Sequence, residues 1–226
     1  MRETPITRQP PQSRGGALFW GVQVQSIDAT RLDAYLASVA DQEEALGEAP
    51  AFTGRLVLRS QRDAQRFWVI DGWNEERAMV SASIMLRTLS SVAGLTAPPR
   101  EVATAQVPVG SAGSAGARAP RAPDAPLPFF LIGENWVKPV ALPDYLAAHE
   151  ALTADLVAHD GFAGRLLLRD LADHAHFFVV DEWRDERAAF EAFETRQSAL
   201  SEARMTGFLT LLAERAKADF ALGIHG

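Results

Sequence analysis

The sequence contains no cysteine among its 226 residues. This absence excludes disulfide bonds, thiolate catalysis and cysteine-ligated metal or iron–sulfur centres, and it is consistent with a reducing compartment. No apolar run approaches the roughly 18 residues that a membrane-spanning helix needs. The opening stretch MRETPITRQPPQSRGG also lacks the apolar core of a signal peptide. We therefore expect a soluble, cytoplasmic protein.

A basic surface is missing as well. The chain has 22 lysines and arginines against 29 aspartates and glutamates, a net charge of −7, with both signs interspersed. Nucleic-acid-binding domains generally present a basic face, and no polybasic run indicates contact with a membrane surface. We expect neither kind of partner. The 47% of hydrophobic residues is enough for a sizeable core.

What the sequence does contain is a repeat. FTGRLVLRS at 52–60 returns as FAGRLLLRD at 162–170, and a shift of 110 positions aligns the chain with itself without a gap from Phe19 to Ala78. Over the best-matched stretch, 14 of 27 positions are identical. Such agreement indicates an internal duplication, and a period this long with two copies indicates a pair of domains rather than a solenoid.

A segment rich in Pro, Gly, Ala and Ser lies between the two copies, at 108–126. This composition cannot form a core and is typical of a linker. We therefore predict a first domain over 17–107 and a second over 127–226. Residues 1–16 are predicted to be a disordered tail.

Each copy has the hydrophobic pattern of a β-α-β-β-α-β unit, the order of the ferredoxin-like split βαβ fold. We therefore predict an α+β protein built from two ferredoxin-like halves with antiparallel sheets. One face of each sheet holds the helices, and the other face requires a cover, which the second copy can supply. The predicted strands lie at 17–24, 52–60, 65–73, 100–109, 127–137, within 162–183 and at 218–224, and the predicted helices at 28–46, 74–95, 142–158, 185–199 and 203–215.

The segments GFAGRLLLR and FFVVDEWRDERAAFEAF, echoed in the first copy by FTGRLVLRS and FWVIDGWNEERA, resemble the antibiotic biosynthesis monooxygenase family of dimeric α+β barrels. The resemblance implies that one chain supplies both halves of such a barrel. Family activities include oxygenation of anthrones and quinols without a cofactor, quinol oxidation and haem degradation, and some members have no known activity. The resemblance implies that this protein is a cofactor-independent monooxygenase whose substrate is a small electron-rich aromatic compound or quinol. The alternative is a non-catalytic barrel that binds a small hydrophobic molecule, and a homodimer of the whole chain stays open.

Asn135, in IGENW, matches an asparagine on the first strand of the haem-degrading branch of that family. That branch also carries a tryptophan and a histidine on its second helix. Here Phe193 lies near the tryptophan position and no histidine follows, so haem degradation is disfavoured. The quinol-oxidising branch also tends to carry that histidine.

His149 shares one face of its predicted helix with Tyr145, Leu152 and Leu156. In the family the pocket lies between the sheet and the helices, so we predict that His149 is catalytic and accepts a proton from a phenol or anthrone carbon. Asn135 is the second predicted catalytic residue, orienting a carbonyl or enolate. Purely structural roles for both remain open.

Four residues are predicted to bind the substrate, and several others to be structural. Arg55 and Asp71 are expected to pair across strands. The H-x-H pair in DHAHF has no third metal ligand in view, so a structural role is favoured, although haem ligation by His149 or His176 is a third reading. We predict no cofactor and no metal. The predicted substrate-binding residues are Trp136, Tyr145, Arg169 and Phe193.

Overall fold

A computed structural model describes residues 18–90, 95–108, 127–199, 210–213 and 217–225. Its elements follow the predicted order in both halves. The first half contains β1 Phe19–Ser26, α1 Leu32–Gly47, β2 Phe52–Ser60, β3 Arg66–Trp73, α2 Glu76–Ser90 and β4 Arg100–Gln106. The second half contains β5 Phe129–Trp136, α3 Leu142–Val157, β6 Phe162–Asp170, β7 His176–Trp183, α4 Glu186–Ala199 and β8 Lys217–His225.

The eight strands form one closed antiparallel barrel in the order β1-β3-β2-β8-β5-β7-β6-β4. Each half contributes four neighbouring strands, and the halves join edge to edge through the pairs β2–β8 and β4–β6. Closure leaves neither sheet with a free edge. The predicted fold class, two ferredoxin-like halves forming an intramolecular barrel, is confirmed.

The alternation of side chains along each strand sorts the core into a lumen and an outer layer. Leu56 and Leu58 face the lumen, whereas Val57 packs outward under α1. Both halves fill the lumen, so the bare face of each sheet is covered by the other half, as predicted. The buried apolar lumen residues are Trp20, Val22, Leu56, Leu58, Trp68, Ile70, Phe130, Ile132, Leu166, Leu168, Phe178, Val180 and Ala221.

The helices α1 and α3 lie on the outer face in equivalent positions. A short 3-10 turn precedes each of them, and Asp28 caps the first of these turns by accepting a hydrogen bond from the Thr30 amide at 2.8 Å. In α3 the buried residues are Tyr145, His149, Thr153 and Leu156. Thr153 thus occupies the buried row where the sequence predicted Leu152.

The predicted pairing of Arg55 with Asp71 is present and is repeated in the second half. Arg55 lies directly opposite Asp71 in the β2–β3 register, with Nε 2.6 Å from Oδ1 and Nη2 2.9 Å from Oδ2. Arg165 and Asp181 make the same two contacts at 2.5 and 2.7 Å. Both pairs are buried beneath a helix, where bidentate geometry satisfies both charges.

Two predicted helices end earlier than expected. Leu95 forms an isolated bridge with Ile27, and Leu212 forms the equivalent bridge with Val137, so the helices predicted over 74–95 and 203–215 do not reach their predicted ends. Both leucines are apolar and pack into the outer clusters instead.

Some predictions fall on residues that the structure does not describe. They are the tail at 1–16, nearly all of the linker at 108–126 and most of the helix at 203–215. The domain boundaries therefore remain predictions. Within the described residues, no helix has the length and apolar character needed to cross a membrane.

We predict that Asp71→Ala lowers the free energy of unfolding by about 3–5 kcal/mol, because it leaves the buried Arg55 guanidinium without its carboxylate. Urea titration followed by tryptophan fluorescence measures this change. The double variant Asp71→Leu with Arg55→Met is the control, since it removes both charges and should recover most of the loss. An Asp71→Ala protein as stable as the parent would contradict the prediction.

Candidate functional site

A buried cluster of polar side chains lies between the sheet of the second half and α3. The Asn135 amide, on the outward face of β5, donates to the Tyr145 hydroxyl at 3.0 Å. The Tyr145 ring stands edge-on to the His149 imidazole, with centroids 4.5 Å apart. Tyr145 and His149 are 0% and 2% exposed. The structure therefore brings together Asn135, Tyr145 and His149, three of the predicted site residues.

Burial, together with the positive charge of Arg165, lowers the pKa of His149 to about 3. Its imidazole is therefore neutral throughout the physiological range. It can accept a proton without first losing one, but as a base it is weak.

The floor of this cluster is a row of hydrogen bonds that ends on the buried ion pair. Thr153 donates its hydroxyl to the His149 carbonyl at 2.8 Å, and Arg165 Nη1 donates to the Thr153 hydroxyl at 3.3 Å. Asp181 holds the other edge of the guanidinium. A fixed positive charge therefore lies beside His149, and burial keeps its field from being screened by water.

The first half carries a different arrangement at the equivalent place. Tyr35 donates its hydroxyl to Gln25 Oε1 at 2.7 Å, and Gln25 Nε2 donates to Gln23 Oε1 at 2.7 Å. Val39 takes the position of the histidine. The Tyr35 proton is thus held inside a chain of amides, and the neighbouring helix position carries a valine in place of a histidine.

The hydrogen-bond direction at the tyrosine is reversed between the halves. Tyr145 accepts from Asn135, so its own proton is directed to a group other than that amide. Burial raises the pKa of the Tyr145 phenol, and the Asn135 hydrogen bond works against that rise. The Tyr145 hydroxyl is therefore protonated at neutral pH.

Two other predicted substrate-binding residues, Trp136 and Arg169, do not join this cluster directly. Trp136 follows Asn135 on β5 and faces the lumen side, where it stacks on His176. Arg169 lies on the outer face, but its Nε donates to the His174 carbonyl at 2.8 Å and closes the β6–β7 turn. The side chain of Phe193 lies outside the described residues.

A second buried polar network lies inside the barrel, around the second histidine of the H-x-H pair. His176 is the first residue of β7, with Nδ1 2.9 Å from Asp170 Oδ2 and Nε2 3.0 Å from Glu134 Oε1. Arg100, from the first half, donates to the same glutamate through its two terminal guanidinium nitrogens, Nη1 and Nη2. The sequence signal that could have revealed this network is the presence of charged residues at lumen-facing strand positions.

The charges in this lumen network stabilise one another. Burial opposes ionisation of Glu134, but hydrogen bonds from His176 and Arg100 prevail and lower its pKa to about 2. Burial likewise disfavours the charged form of His176, yet its two carboxylate contacts raise its pKa above the usual value. Both nitrogens of His176 are engaged, which disfavours it as a haem ligand. Across the described residues, no three or more His, Cys, Asp or Glu side chains are arranged to hold a metal ion.

We predict that the two buried histidines titrate in opposite directions from the ordinary value. NMR of ring-labelled protein should show His149 neutral from pH 9 down to pH 5, because burial and the charge of Arg165 lower its pKa. It should show His176 gaining its proton above pH 6.5, because its two carboxylate partners raise its pKa. His149→Val, which installs the first-half residue, assigns the signal.

The lowered pKa of His149 also affects how the stability of the protein depends on pH. Below pH 6.5 the unfolded chain protonates His149 while the folded chain does not until about pH 3, so this histidine should cost stability as the pH falls. The parent should therefore lose more stability than His149→Val between pH 7 and pH 4. Equal losses, or a His149 titration near pH 6.5, would contradict the assignment.

Comparison with known proteins relates the second half of the chain to a family. Residues 128–217 match the family model described as antibiotic biosynthesis monooxygenase. A search of curated proteins finds no significant match. A solved structure described as "Putative monooxygenase" from Fusobacterium nucleatum subsp. nucleatum is 10% identical, with a TM-score of 0.74 over 93% of this chain and 94% of that one.

Other solved structures share the fold under different descriptions. An anthrone oxidase-like protein is 14% identical, with a TM-score of 0.67 over 95% of this chain and 94% of that one. A "Putative Chlorite dismutase" is 12% identical, with a TM-score of 0.62 over 92% and 96%. Identities this low show the barrel fold alone, and the fold serves several chemistries. Residues 128–217 therefore form a domain that matches the antibiotic biosynthesis monooxygenase family, and the first half, which repeats it, completes the barrel.

Proposed function

We propose that the protein is a monooxygenase that oxidises a small electron-rich aromatic or quinol without a cofactor, at the cluster of Asn135, Tyr145 and His149. The observation that carries the proposal is that this cluster is buried under α3 in the half that matches the family. The first half has Gln25, Tyr35 and Val39 at the same positions and lacks a histidine there.

In the proposed reaction the substrate supplies the electrons. His149 accepts a proton from a phenol or from the acidic methylene of an anthrone, and the resulting anion passes electrons to dioxygen. With an anthrone, one oxygen atom enters the substrate as a carbonyl, and the other leaves as water with the two hydrogens of the methylene. With a phenol, one oxygen atom becomes a quinone carbonyl at a ring carbon, and the other leaves as water with the hydroxyl hydrogen and the hydrogen of that carbon. The Tyr145 hydroxyl, held by Asn135, donates a hydrogen bond to the developing oxyanion.

The weakness of His149 as a base defines what the rest of the site must do. A phenol has a pKa near 10, about seven units above the pKa of this imidazole, which corresponds to a gap of roughly 10 kcal/mol. The fixed charge of Arg165 and the hydroxyl of Tyr145 both favour an oxyanion placed between them. A bound oxyanion would also favour the imidazolium, because opposite charges at close range stabilise each other.

The alternative function is a non-catalytic barrel that binds a small hydrophobic molecule. The low pKa of His149 and the absence of a histidine on α4 favour it. The lumen is filled with side chains from both halves, so such a ligand would also have to lie under the helices.

We predict that purified, metal-free protein consumes oxygen with anthrones or hydroquinones. His149→Ala should lower kcat roughly 100-fold by removing the proton acceptor, and Asn135→Ala roughly 10-fold by releasing the Tyr145 hydroxyl. An oxygen electrode with a panel of these substrates measures both effects.

The repeat supplies matched controls in the same chain. Val39→Ala and Gln25→Ala change the equivalent positions of the first half and should leave kcat within twofold of the parent. Oxygen uptake that is the same in all four variants would keep the activity but exclude these residues. No uptake across the panel would favour the ligand-binding alternative.

A further inference from the structure

The two seams of the barrel have equivalent registers but different chemistry. In the β2–β8 seam Ser60 lies opposite Ala221, and in the β4–β6 seam Asp170 lies opposite Thr104. Ser60 and Asp170 are 110 residues apart and therefore occupy the same position in the repeat. The barrel thus has a pseudo-twofold backbone that carries different side chains at its two junctions.

The β2–β8 seam is held by a buried carboxylate that takes both of its side-chain hydrogen bonds from the first half. Ser60 Oγ donates to Asp219 Oδ1 at 2.8 Å, and Trp68 Nε1 donates to Asp219 Oδ2 at 3.0 Å. All three residues are buried. The Phe220 amide adds a third hydrogen bond to Oδ1 at 2.9 Å, but both side-chain donors that stabilise this buried carboxylate come from the first half.

The β4–β6 side is joined by a different ion pair. Arg100 of the first half reaches Glu134 of the second. Asp170, the counterpart of Ser60, is bonded to His176 within its own half. Each half therefore contributes charged or polar groups whose complements lie in the other half.

The strand registers show what a half would meet if it paired with a copy of itself. Val22 pairs with Val102, and its repeat counterpart Ile132 pairs with Asp219, so Val102 and Asp219 are equivalent. If two copies of the second half paired with each other, Asp170 of one copy would take the position of Ser60 and would lie against Asp219 of the other copy.

Other positions would also lose their partners if either half paired with a copy of itself. In a pair of second halves, Phe178 would replace the Trp68 donor. In a pair of first halves, Trp68 would face Val102 in place of its carboxylate, and Arg100 would face Val24, the repeat counterpart of Glu134. Buried like charges and buried polar groups without complements each cost several kcal/mol.

We propose that the sheet edges of the two halves are mutually specific, so that each half accepts the other half as its partner and rejects a second copy of itself. The buried contacts of Ser60 and Trp68 with Asp219, and of Arg100 with Glu134, enforce this choice. Specificity then comes from the cost of the wrong pairing as much as from the stability of the right one.

Ser60→Asp in the full chain tests the proposal, because it recreates one junction of a self-paired second half. The substitution is compatible with the local turn. Ser60 Oγ accepts hydrogen bonds from the amides of residues 62 and 63, and Asp170 Oδ1 accepts the same pair from residues 172 and 173. Any loss of stability therefore reports on the contact with Asp219.

Thermal unfolding should show Tm falling by roughly 10 °C in Ser60→Asp. Ser60→Asn is the matched control, since it has the same shape without the charge and can donate to Asp219, and it should stay within about 3 °C of the parent. Adding Asp219→Ser to Ser60→Asp moves the carboxylate to the other strand and should restore most of the loss.

Two results would overturn the proposal. One is a Ser60→Asp protein as stable as Ser60→Asn. The other is a double variant no more stable than Ser60→Asp alone, with Asp219→Ser measured separately to complete the cycle. Where Ser60→Asp does not fold, recovery of folded protein in the double variant supports the proposal, and failure to recover it overturns it.

Discussion

The structure depends on burying the second face of each sheet. A four-stranded antiparallel sheet with two helices on one side leaves its other side, here rich in leucine, valine and tryptophan, in need of cover. The duplication meets this need within a single chain. Because the two sheets also join at both edges, the same step that buries the lumen faces removes the free strand edges.

Closure of the lumen leaves the outer face of each sheet as the place where polar chemistry can differ between the halves. Both halves keep the frame, namely the cross-strand arginine–aspartate pair and a tyrosine on the first helix. They differ in what surrounds the tyrosine. Amides hold the Tyr35 hydroxyl in the first half, whereas Tyr145 stands between an asparagine and a histidine. One half can therefore serve as scaffold while the other carries a site.

The two buried histidines of the second half show how position sets the chemistry of one residue type. His149 has a guanidinium nearby and is held neutral, while His176 lies between two carboxylates and favours its charged form. His149 is neutral at neutral pH and can accept a proton there only as a weak base. His176 belongs to a charge-balanced network that reaches from one half to the other, which suits a structural contact between them.

The sequence by itself determined the duplication, the order of elements, the cross-strand pairing of Arg55 with Asp71 and the inward turn of His149. These depend on local periodicity and on short-range register, which a single chain displays directly. Only the tertiary structure decided that Trp136 lies on the lumen face, where it stacks on His176, and that His176 contacts Glu134 and Asp170 while Arg100 binds the same glutamate. Those contacts join strands far apart in the chain, and their partners are set by how the two sheets close. The sequence pattern carries no signal for that closure beyond isolated charges on strands that are otherwise apolar.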